Sequence, residues 1–346
     1  MFRNILRKIK WYEEKDSMKK KTISFATIGT SKIADGFICM AKKCNDFSLE
    51  AVYSRDWERA NEFAEKYGAV KCYDKLEQLA LDSNVDAVYI ASPNSKHFHQ
   101  AIMLMNAGKH ILCEKALGSN KREVELMLQA AKDNQVILLE ATCSLFDPGF
   151  DTIKENLDKI GKIRRATFRF CQRSSRYDSF LAGNQHNIFD VKFAAGALMD
   201  IGIYCVQPLI ELFGEPLSVN AESIMLRGGI DGAGTILASY EGMLAELIYS
   251  KITNSKIPSE IQGESGIMQI NSISSPREVT IIFHEGMEQM LKIEQCDNNM
   301  CYELAKFIQA VHGEVNIDSY NKVSLDSLKL MDRVRDKCGI TFLADN

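Results

Sequence analysis

Short apolar runs alternate with amphipathic stretches of helical spacing between residues 22 and 142. The six runs are TISFATIG, LEAVYS, VKCY, VDAVYIAS, KHILCEK and NQVILLEA. Strand-forming runs that alternate with amphipathic helices are typical of βαβ units, whose parallel sheet is covered by helices on both faces. Because crossovers between parallel strands are right-handed, we expect this part of the chain to form a doubly wound α/β domain.

The pattern changes after about residue 143. A polar–apolar alternation in IRRATFRF and an apolar helix over 197–213 come first. Strand-like segments follow in series: ESIMLR, GTILASYE, LAELIYSK, EIQGES, GIMQINS and EVTIIFH. Two predicted helices, Met300–Val311 and Ser324–Cys338, come last. This order indicates an α+β domain with a large, mostly antiparallel open sheet. A chain of 346 residues also exceeds what one ordinary core contains. The sequence therefore predicts an N-terminal extension (1–17), a doubly wound domain (18–142) and an α+β domain (143–346).

The extension has the sequence MFRNILRKIKWYEEKDS, in which apolar residues at helical spacing are surrounded by basic ones. A basic amphipathic helix of this kind can touch an anionic membrane surface. It lacks the continuous apolar core of a signal peptide. We favour a dispensable leader ahead of Met18, and we expect no stable membrane association.

Composition excludes several classes of protein. The net charge of −4 argues against a nucleic-acid-binding protein, which normally presents a basic face. The ten cysteines form no CxxC pair and most lie in apolar runs, so we expect buried thiols in a reducing, cytoplasmic compartment. No clustered ligands indicate a metal site, and no apolar stretch approaches the length of a membrane-spanning helix.

The turn Gly29-Thr30-Ser31-Lys32-Ile33-Ala34 follows the first predicted strand. It matches the GxGxxG/A turn, on which the pyrophosphate of a dinucleotide rests at a helix N-terminus, in its first and last positions. Ser31 replaces the middle glycine, although its hydroxyl can donate to a phosphate oxygen. The alternative is an ordinary strand–helix turn. The position after the first strand of a βα series favours a dinucleotide cofactor.

The end of the second strand bears on which cofactor is bound. An NAD enzyme places Asp or Glu there for the ribose hydroxyl, whereas this chain has Ser54 and Arg55. A hydroxyl and a guanidinium suit a 2′-phosphate, so the sequence favours NADP(H) over NAD(H). Glu50 lies at the wrong end of the strand. The alternative is that Arg55 is a solvated residue at a helix start.

Two segments resemble the Gfo/Idh/MocA family, named after glucose–fructose oxidoreductase and inositol dehydrogenase. In the first, Pro93-Asn94 and His97 precede Glu114-Lys115, as in the family's signature. In the second, AAGALMDIGIYCVQPLIELFG is similar to the family's Gly-Gly-x-x-x-Asp-x-Gly-x-Tyr/His segment. The tyrosine in its last position resembles the dimeric dihydrodiol dehydrogenase and anhydrofructose reductase branch.

The resemblance implies an NAD(P)-binding Rossmann domain followed by a domain for substrate binding and oligomerisation, with a homodimer or homotetramer formed through the C-terminal sheet. It implies an NAD(P)-dependent oxidoreductase that transfers a hydride to or from a sugar, polyol or vicinal diol. Together with the two features above, it assigns these residues to the cofactor: Gly29, Thr30, Ser31, Lys32, Ile33, Ser54, Arg55, Ser92, Pro93, Asn94, His97, Glu114 and Lys115.

The resemblance also implies that Lys115, Asp200 and Tyr204 are catalytic. Asp200 and Tyr204 are four residues apart, so on a helix both point the same way. Tyr204 is the candidate acid/base because a nearby ammonium favours its phenolate, while Lys115 would hold the substrate oxygen. The division of roles between these two residues stays open.

Three departures from the family's pattern are Ser31, Ala116 in place of a proline, and Ala195 in place of a glycine. They favour the alternative of a non-catalytic NAD(P)-binding sensor with the same fold. The retention of Lys115, Asp200 and Tyr204 favours the enzyme.

Arg173 and Arg176, with Arg169 before them, flank a strand that leads toward the substrate cleft in the family. They are candidates for binding a polyhydroxylated or anionic substrate. The alternative is a solvated strand face.

Overall fold

Six parallel strands form the sheet of the first domain in the computed structural model, which describes residues 21–345. Their order in the sheet is β3-β2-β1-β4-β5-β6, the doubly wound arrangement that the sequence predicts. The predicted extension lies outside the described residues. The strands are β1 (Ile23–Ile28), β2 (Phe47–Tyr53), β3 (Lys71–Tyr73), β4 (Ala87–Ile90), β5 (His110–Glu114) and β6 (Leu138–Ala141).

Capping residues set the ends of several helices in this domain. Asp56 caps the second helix by accepting a hydrogen bond from the Arg59 backbone N–H at 3.2 Å, and Gly68 ends that helix with a φ of +68°. The side chain of Asn120 caps the fifth helix in the same way. The five helices are α1 (Lys32–Ala41), α2 (Trp57–Tyr67), α3 (Leu76–Ala80), α4 (Asn94–Asn106) and α5 (Lys121–Asp133).

Eight strands form the sheet of the second domain, in the order β14-β13-β12-β11-β7-β10-β9-β8. All neighbours are antiparallel except β7 and β10, which confirms a mostly antiparallel sheet. The last strand is absent from the sequence prediction. The strands are β7 (Ile163–Cys171), β8 (Ser218–Leu226), β9 (Ile230–Tyr240), β10 (Met243–Ser250), β11 (Ser259–Gly263), β12 (Gly266–Ile270), β13 (Glu278–Phe283) and β14 (Glu288–Lys292).

The two faces of this sheet differ. Ala166 and Phe168 of β7 are fully buried on the face that carries the domain's helices. Leu237 and Leu244 point to the other face and are each 38% exposed. This second face is therefore open in the single chain. The helices are α6 (Pro148–Asn156), α7 (Tyr177–Leu181), α8 (Ile203–Phe213), α9 (Met300–Val311) and α10 (Asp318–Cys338), and a π-helical turn (Leu198–Gly202) leads into α8.

The chain returns to the first domain after β14. Phe307 of α9 is fully buried, and its ring centroid lies 5.7 Å from that of Phe25 in β1. The side chain of Asn298 donates to the carbonyl of Gly36 in α1 at 3.3 Å. Helix α9 therefore packs in the core of the first domain, although it lies after the predicted domain boundary at residue 143. That boundary stays a prediction.

One helical run among the described residues, Val191–Phe213, is long and apolar enough to cross a membrane by length and composition. The sequence-based expectation that no apolar stretch approaches such a length was therefore wrong. In the structure, 83% of this run's most apolar window is buried inside the fold. Its apolar character is accounted for by packing within the second domain.

Candidate active site

The glycine turn lies between β1 and α1. Gly29 has a φ of +102°, and a Cβ at this position would stand 2.7 Å from the carbonyl oxygen of Ala91. Ser31 caps α1 by accepting a hydrogen bond from the Ala34 N–H at 3.4 Å, and it keeps its own hydroxyl hydrogen for another acceptor. The first N–H groups of a helix have no partner within it. The turn therefore fits the pyrophosphate of a dinucleotide despite the missing glycine.

Ser54 and Arg55 lie beside this turn, because β1 and β2 are neighbours and the Gly29 N–H donates to the Tyr53 carbonyl at 3.1 Å. The Ser54 hydroxyl accepts from the Asp56 N–H at 3.3 Å. The Arg55 side chain is exposed and makes no hydrogen bond or ion pair with any described residue. Its guanidinium is thus available to an anionic group at this edge of the sheet.

Ser92, Pro93 and Asn94 connect β4 to α4. Pro93 is the N-cap residue of α4, and the Asn94 amide donates across the cleft to the carbonyl of Ala194 at 2.9 Å. His97 is fully buried, with Nε2 2.8 Å from the carbonyl of Ser92 and Nδ1 2.9 Å from that of Ala116. His97 therefore fastens the loops after β4 and β5 to each other, and both of its ring nitrogens are occupied by them.

Glu114 ends β5, and Lys115 follows it. The Tyr89 hydroxyl donates to Oε1 of Glu114 at 2.5 Å, and burial raises the pKa of this carboxyl above its ordinary value. The peptide bond between Lys115 and Ala116 is cis. Ala116 stands where the family resemblance has proline, and its carbonyl is the one held by His97.

Glu140 supports the same loop from β6. Its Oε1 accepts from the Leu117 N–H at 2.9 Å, and its Oε2 accepts from the Gln207 amide at 2.8 Å. Glu140 is 2% exposed, and burial raises the pKa of its carboxyl to about 7. The loop that presents Lys115 is therefore anchored by buried polar contacts on both sides.

Lys115, Asp200 and Tyr204 meet in the cleft between the domains. The Lys115 Nζ donates to Oδ1 of Asp200 at 2.8 Å and to the Asp200 carbonyl at 2.7 Å. The same Nζ lies 4.8 Å from the centroid of the Tyr204 ring. The Tyr204 hydroxyl has no hydrogen-bond partner among the described residues, and its ring packs edge-on against Phe170 at 5.3 Å. The structure thus brings together the three residues that the family resemblance implies.

The charges in this cluster shift each other's protonation. Burial alone would raise the pKa of Asp200, but the ammonium groups of Lys115 and Lys251 hold it well below its ordinary value. Burial lowers the pKa of Lys115, and Asp200 more than reverses this, so that Lys115 stays charged. Burial raises the pKa of Tyr204 well above 10 against the opposing effect of Lys115. The sequence-based expectation of an accessible phenolate therefore differs from the structure, in which Tyr204 is protonated near neutral pH.

Lys251 belongs to the cluster and was missed by the sequence reasoning. It follows β10, is 2% exposed, and its Nζ donates to Oδ2 of Asp200 at 2.6 Å. The signal that could have identified it is a lysine directly after an apolar strand, LAELIYSK, which parallels Lys115 after HILCEK.

The three arginines near β7 lie outside this cluster. Arg169 points to the open face of the sheet, where it donates to the Pro258 carbonyl at 3.2 Å, which favours the alternative of a residue on the strand face. Strand alternation explains this, because Phe170, which contacts Tyr204, points to the opposite face. Arg173 is exposed and paired with Asp178, and the Arg173 Nη1 lies 3.0 Å from the Asp178 Oδ2. Arg176 is exposed before α7.

Comparison with known proteins gives matches over both domains. Residues 23–142 match the model of the GFO/IDH/MocA oxidoreductase family with its NAD-binding Rossmann fold, and residues 150–269 match that of the GFO/IDH/MocA C-terminal domain. The chain is 44% identical over 326 residues to scyllo-inositol 2-dehydrogenase (NADP(+)) IolU of Bacillus subtilis, covering 93% of this chain and 99% of that protein. It is 32% identical over 267 residues to trans-1,2-dihydrobenzene-1,2-diol dehydrogenase of Mus musculus, covering 75% and 78%.

Solved structures share the fold. KijD10, a 3-ketoreductase from Actinomadura kijaniata in complex with NADP and TDP-benzene, gives a TM-score of 0.83 at 23% identity, covering 92% of this chain and 98% of that one. Aldose-aldose oxidoreductase from Caulobacter crescentus gives 0.81 at 21% identity with the same coverage. The chain therefore belongs to the GFO/IDH/MocA family and is an oxidoreductase with an NAD(P)-binding Rossmann domain.

Proposed function

We propose that this enzyme interconverts a secondary alcohol and a ketone on a polyol, a sugar or a vicinal diol, with NADP(H) as cofactor. One observation carries the proposal. A partly buried lysine lies in the cleft beside a tyrosine hydroxyl that has no hydrogen-bond partner among the described residues, with the Lys115 Nζ 4.8 Å from the Tyr204 ring. Such a pair supplies both a proton donor and a positive charge for a substrate oxygen.

When bound, the nicotinamide would donate or accept the hydride. The protein's own groups handle the proton. Because Tyr204 is protonated near neutral pH, its hydroxyl donates to the substrate oxygen during reduction of a ketone. The Lys115 ammonium stabilises the negative charge that develops on that oxygen. During oxidation the substrate's hydroxyl proton has to leave, so we expect oxidation to become faster as pH rises.

Asp200 acts through Lys115. Both of its carboxylate oxygens are occupied, Oδ1 by Lys115 and Oδ2 by Lys251. We therefore assign Asp200 the role of holding the lysine in place, ahead of the alternative in which it binds a substrate hydroxyl.

The preference for NADP(H) rests on Arg55, next to Ser54 at the end of β2, which is exposed and has no ion-pair partner within residues 21–345. A guanidinium in this position forms charge-assisted hydrogen bonds with a ribose 2′-phosphate. The name of the Bacillus subtilis relative specifies NADP(+). The remaining proposed cofactor contacts are the turn Gly29–Ile33, the segment Ser92–Asn94 and Glu114, with His97 supporting the loops around them.

The names of two relatives support a substrate class for the proposed reaction. Their names denote scyllo-inositol and a trans-dihydrobenzene diol, which are both six-membered carbon rings with neighbouring hydroxyl groups. We therefore propose a cyclic polyol as the preferred substrate, ahead of an open-chain one. Arg173 and Arg176 remain candidates for its outer hydroxyl groups, provided that Arg173 leaves its partner Asp178.

The open face of the second sheet is the proposed contact between subunits of a homodimer or homotetramer. It exposes Leu237 and Leu244 beside the ion pair of Arg165 with Glu246, a mixture of apolar and polar groups that suits an interface. We also propose a cytoplasmic location, since none of the ten cysteines forms a disulfide.

A panel of inositols, sugars and diols assayed with NADP(+) and NAD(+) tests the proposal. We expect turnover with NADP(+) and a cyclic polyol. Cofactor binding detected by fluorescence, without turnover of any substrate in either direction, would favour the sensor over the enzyme. Faster turnover with open-chain sugars than with any cyclic polyol would overturn the substrate class alone.

A further inference from the structure

Lys251 places a second ammonium group in the interior of the second domain. Only 2% of its side chain is exposed, and its Nζ lies 2.6 Å from Oδ2 of Asp200. It also donates to the carbonyl of Ile188 at 3.3 Å and lies 5.2 Å from the centroid of the Phe189 ring. A buried charge is costly unless it is paired and hydrogen-bonded, and here each contact has a defined partner.

The ionisable groups around Lys251 come from three elements. Asp200 in the π-helical turn and Asp231 in β9 attract its charge, while Lys115 in the loop after β5 repels it. Lys115 itself faces Asp200, Tyr204 and Glu114. Two lysines thus share one close carboxylate, and the group of Lys115, Asp200 and Lys251 carries a net positive charge.

We propose that Lys251 is a positioning residue for the reaction proposed above. It binds one oxygen of the Asp200 carboxylate, so that Lys115 and Lys251 share this carboxylate. Without Lys251, both oxygens of Asp200 would be free to neutralise Lys115. With Lys251 in place, Lys115 keeps only Oδ1 and the Asp200 carbonyl. Positive charge therefore remains available where a substrate oxygen becomes negative.

A second consequence concerns proton affinity. Burial, together with repulsion from the Lys115 ammonium, lowers the pKa of Lys251. Because this repulsion is mutual, Lys251 also weakens the hold of Lys115 on its proton. Replacement of Lys251 by methionine keeps most of the side-chain volume and removes the charge. The pKa of Lys115 should then rise, because a nearby like charge has been removed.

The first experiment measures this on the cofactor-free protein, without turnover. Trace labelling with acetic anhydride modifies only unprotonated amines, and peptide mass spectrometry reports the rate at Lys115. In Lys251→Met we expect labelling of Lys115 to be about tenfold slower than in the wild type at a fixed pH. In Lys251→Arg, which keeps the charge, the rate should return to near the wild-type value.

Lys121, which is partly exposed and pairs with Glu125 at 3.1 Å, serves as the control, because its labelling should be equal in all three proteins. Loss of folded structure would expose Lys115 and speed its labelling, so a slower rate cannot come from unfolding. An equal or faster rate at Lys115, in a Lys251→Met protein that keeps the circular dichroism of the wild type, would overturn the proposal.

The second experiment measures steady-state kinetics with the best substrate of the panel. We expect kcat to fall at least tenfold in Lys251→Met with the KM for NADP(+) unchanged, and to recover in Lys251→Arg. A wild-type protein without turnover would count against the proposed function only, since the labelling experiment still decides the role of Lys251. An unchanged kcat in Lys251→Met would contradict that role.

Discussion

Gly196 fits against Asp231 so closely that a Cβ at Gly196 would stand 2.0 Å from the Oδ1 of Asp231. The other carboxylate oxygen, Oδ2, accepts a hydrogen bond from the Leu198 N–H at 2.7 Å. Leu198 begins the π-helical turn that carries Asp200. The absence of a side chain at Gly196 therefore lets a buried carboxylate hold the start of the turn that presents a site residue.

Gly196→Ala should destabilise the protein more than a comparable change elsewhere. Gly183 is a matched control, because it has a φ of +102° against +109° at Gly196 but no atom within 4 Å of an added Cβ. Backbone strain costs both variants about 1–3 kcal/mol, and only Gly196→Ala adds a collision. We expect its free energy of unfolding in urea to be lower than that of Gly183→Ala by about 2 kcal/mol. Equal values for the two variants would show that the contact with Asp231 is unimportant.

The pH dependence of stability should report on Asp231. Burial raises the pKa of this carboxyl to about 6, from 3.8 in an unfolded chain. Between these pKa values the folded protein holds the Asp231 proton more tightly than the unfolded chain does. The contribution of this proton to the free energy of unfolding is therefore complete below about pH 4 and is lost as pH rises through 6.

Asp231→Asn removes this titration. The free energy of unfolding of the variant, relative to the wild type, should therefore increase by about 2–3 kcal/mol between pH 4 and pH 7. Other buried carboxyls such as Glu140 titrate in both proteins and cancel in the difference. Urea unfolding at several pH values measures it. A difference that does not vary with pH would contradict the raised pKa.

Lys115→Met and Tyr204→Phe should each reduce kcat by about 10²–10⁴-fold, because each removes a group that handles the proton or the charge of the substrate oxygen. The dissociation constant of NADPH, measured by fluorescence, should change little in Tyr204→Phe, since the proposed contact of this hydroxyl is with the substrate. Tyr240→Phe is a suitable control, as its hydroxyl donates to the Gly214 carbonyl within the second domain. Full activity of Tyr204→Phe would exclude this tyrosine as proton donor.

Arg55→Ala should weaken NADPH binding by about 10- to 100-fold and leave NADH binding unchanged, because charge-assisted hydrogen bonds to a phosphate contribute about 1.5–3 kcal/mol. Arg59 is exposed in the next helix and provides a control with the same loss of charge. Its replacement by alanine should alter both affinities little. If Arg55→Ala left the ratio of the two affinities unchanged, the preference for NADP(H) would have another origin.

Much of the fold follows from local patterns. The periodicity of residues 22–142 predicted all six strands of the first sheet, because the sequences of buried parallel strands are nearly continuous apolar runs. The strand Glu288–Lys292 escaped prediction because it lies at the sheet edge, where four of its five residues are exposed. The last helix begins at Asp318 rather than at the predicted Ser324, since its first two turns are largely polar.

Most residues of the candidate site, like most of the fold, could be predicted from local sequence. Gly29, Lys115, Asp200 and Tyr204 lie in recognisable segments, so their positions could be named from the sequence. For Lys251 the sequence offers only its place after an apolar strand. Its role depends on Asp200, a partner 51 residues away that β10 brings within 2.6 Å.

The sequence by itself determined the two-domain architecture, the dinucleotide turn and the family, because periodicity, turn chemistry and motif spacing are properties of neighbouring residues. Only the tertiary structure decided how charge is distributed in the cleft. There the sharing of Asp200 between Lys115 and Lys251, and the burial that keeps Tyr204 protonated, arise from segments that are distant in the chain. Electrostatic interactions depend on distance in space and on exclusion of water, and neither can be read from the order of residues.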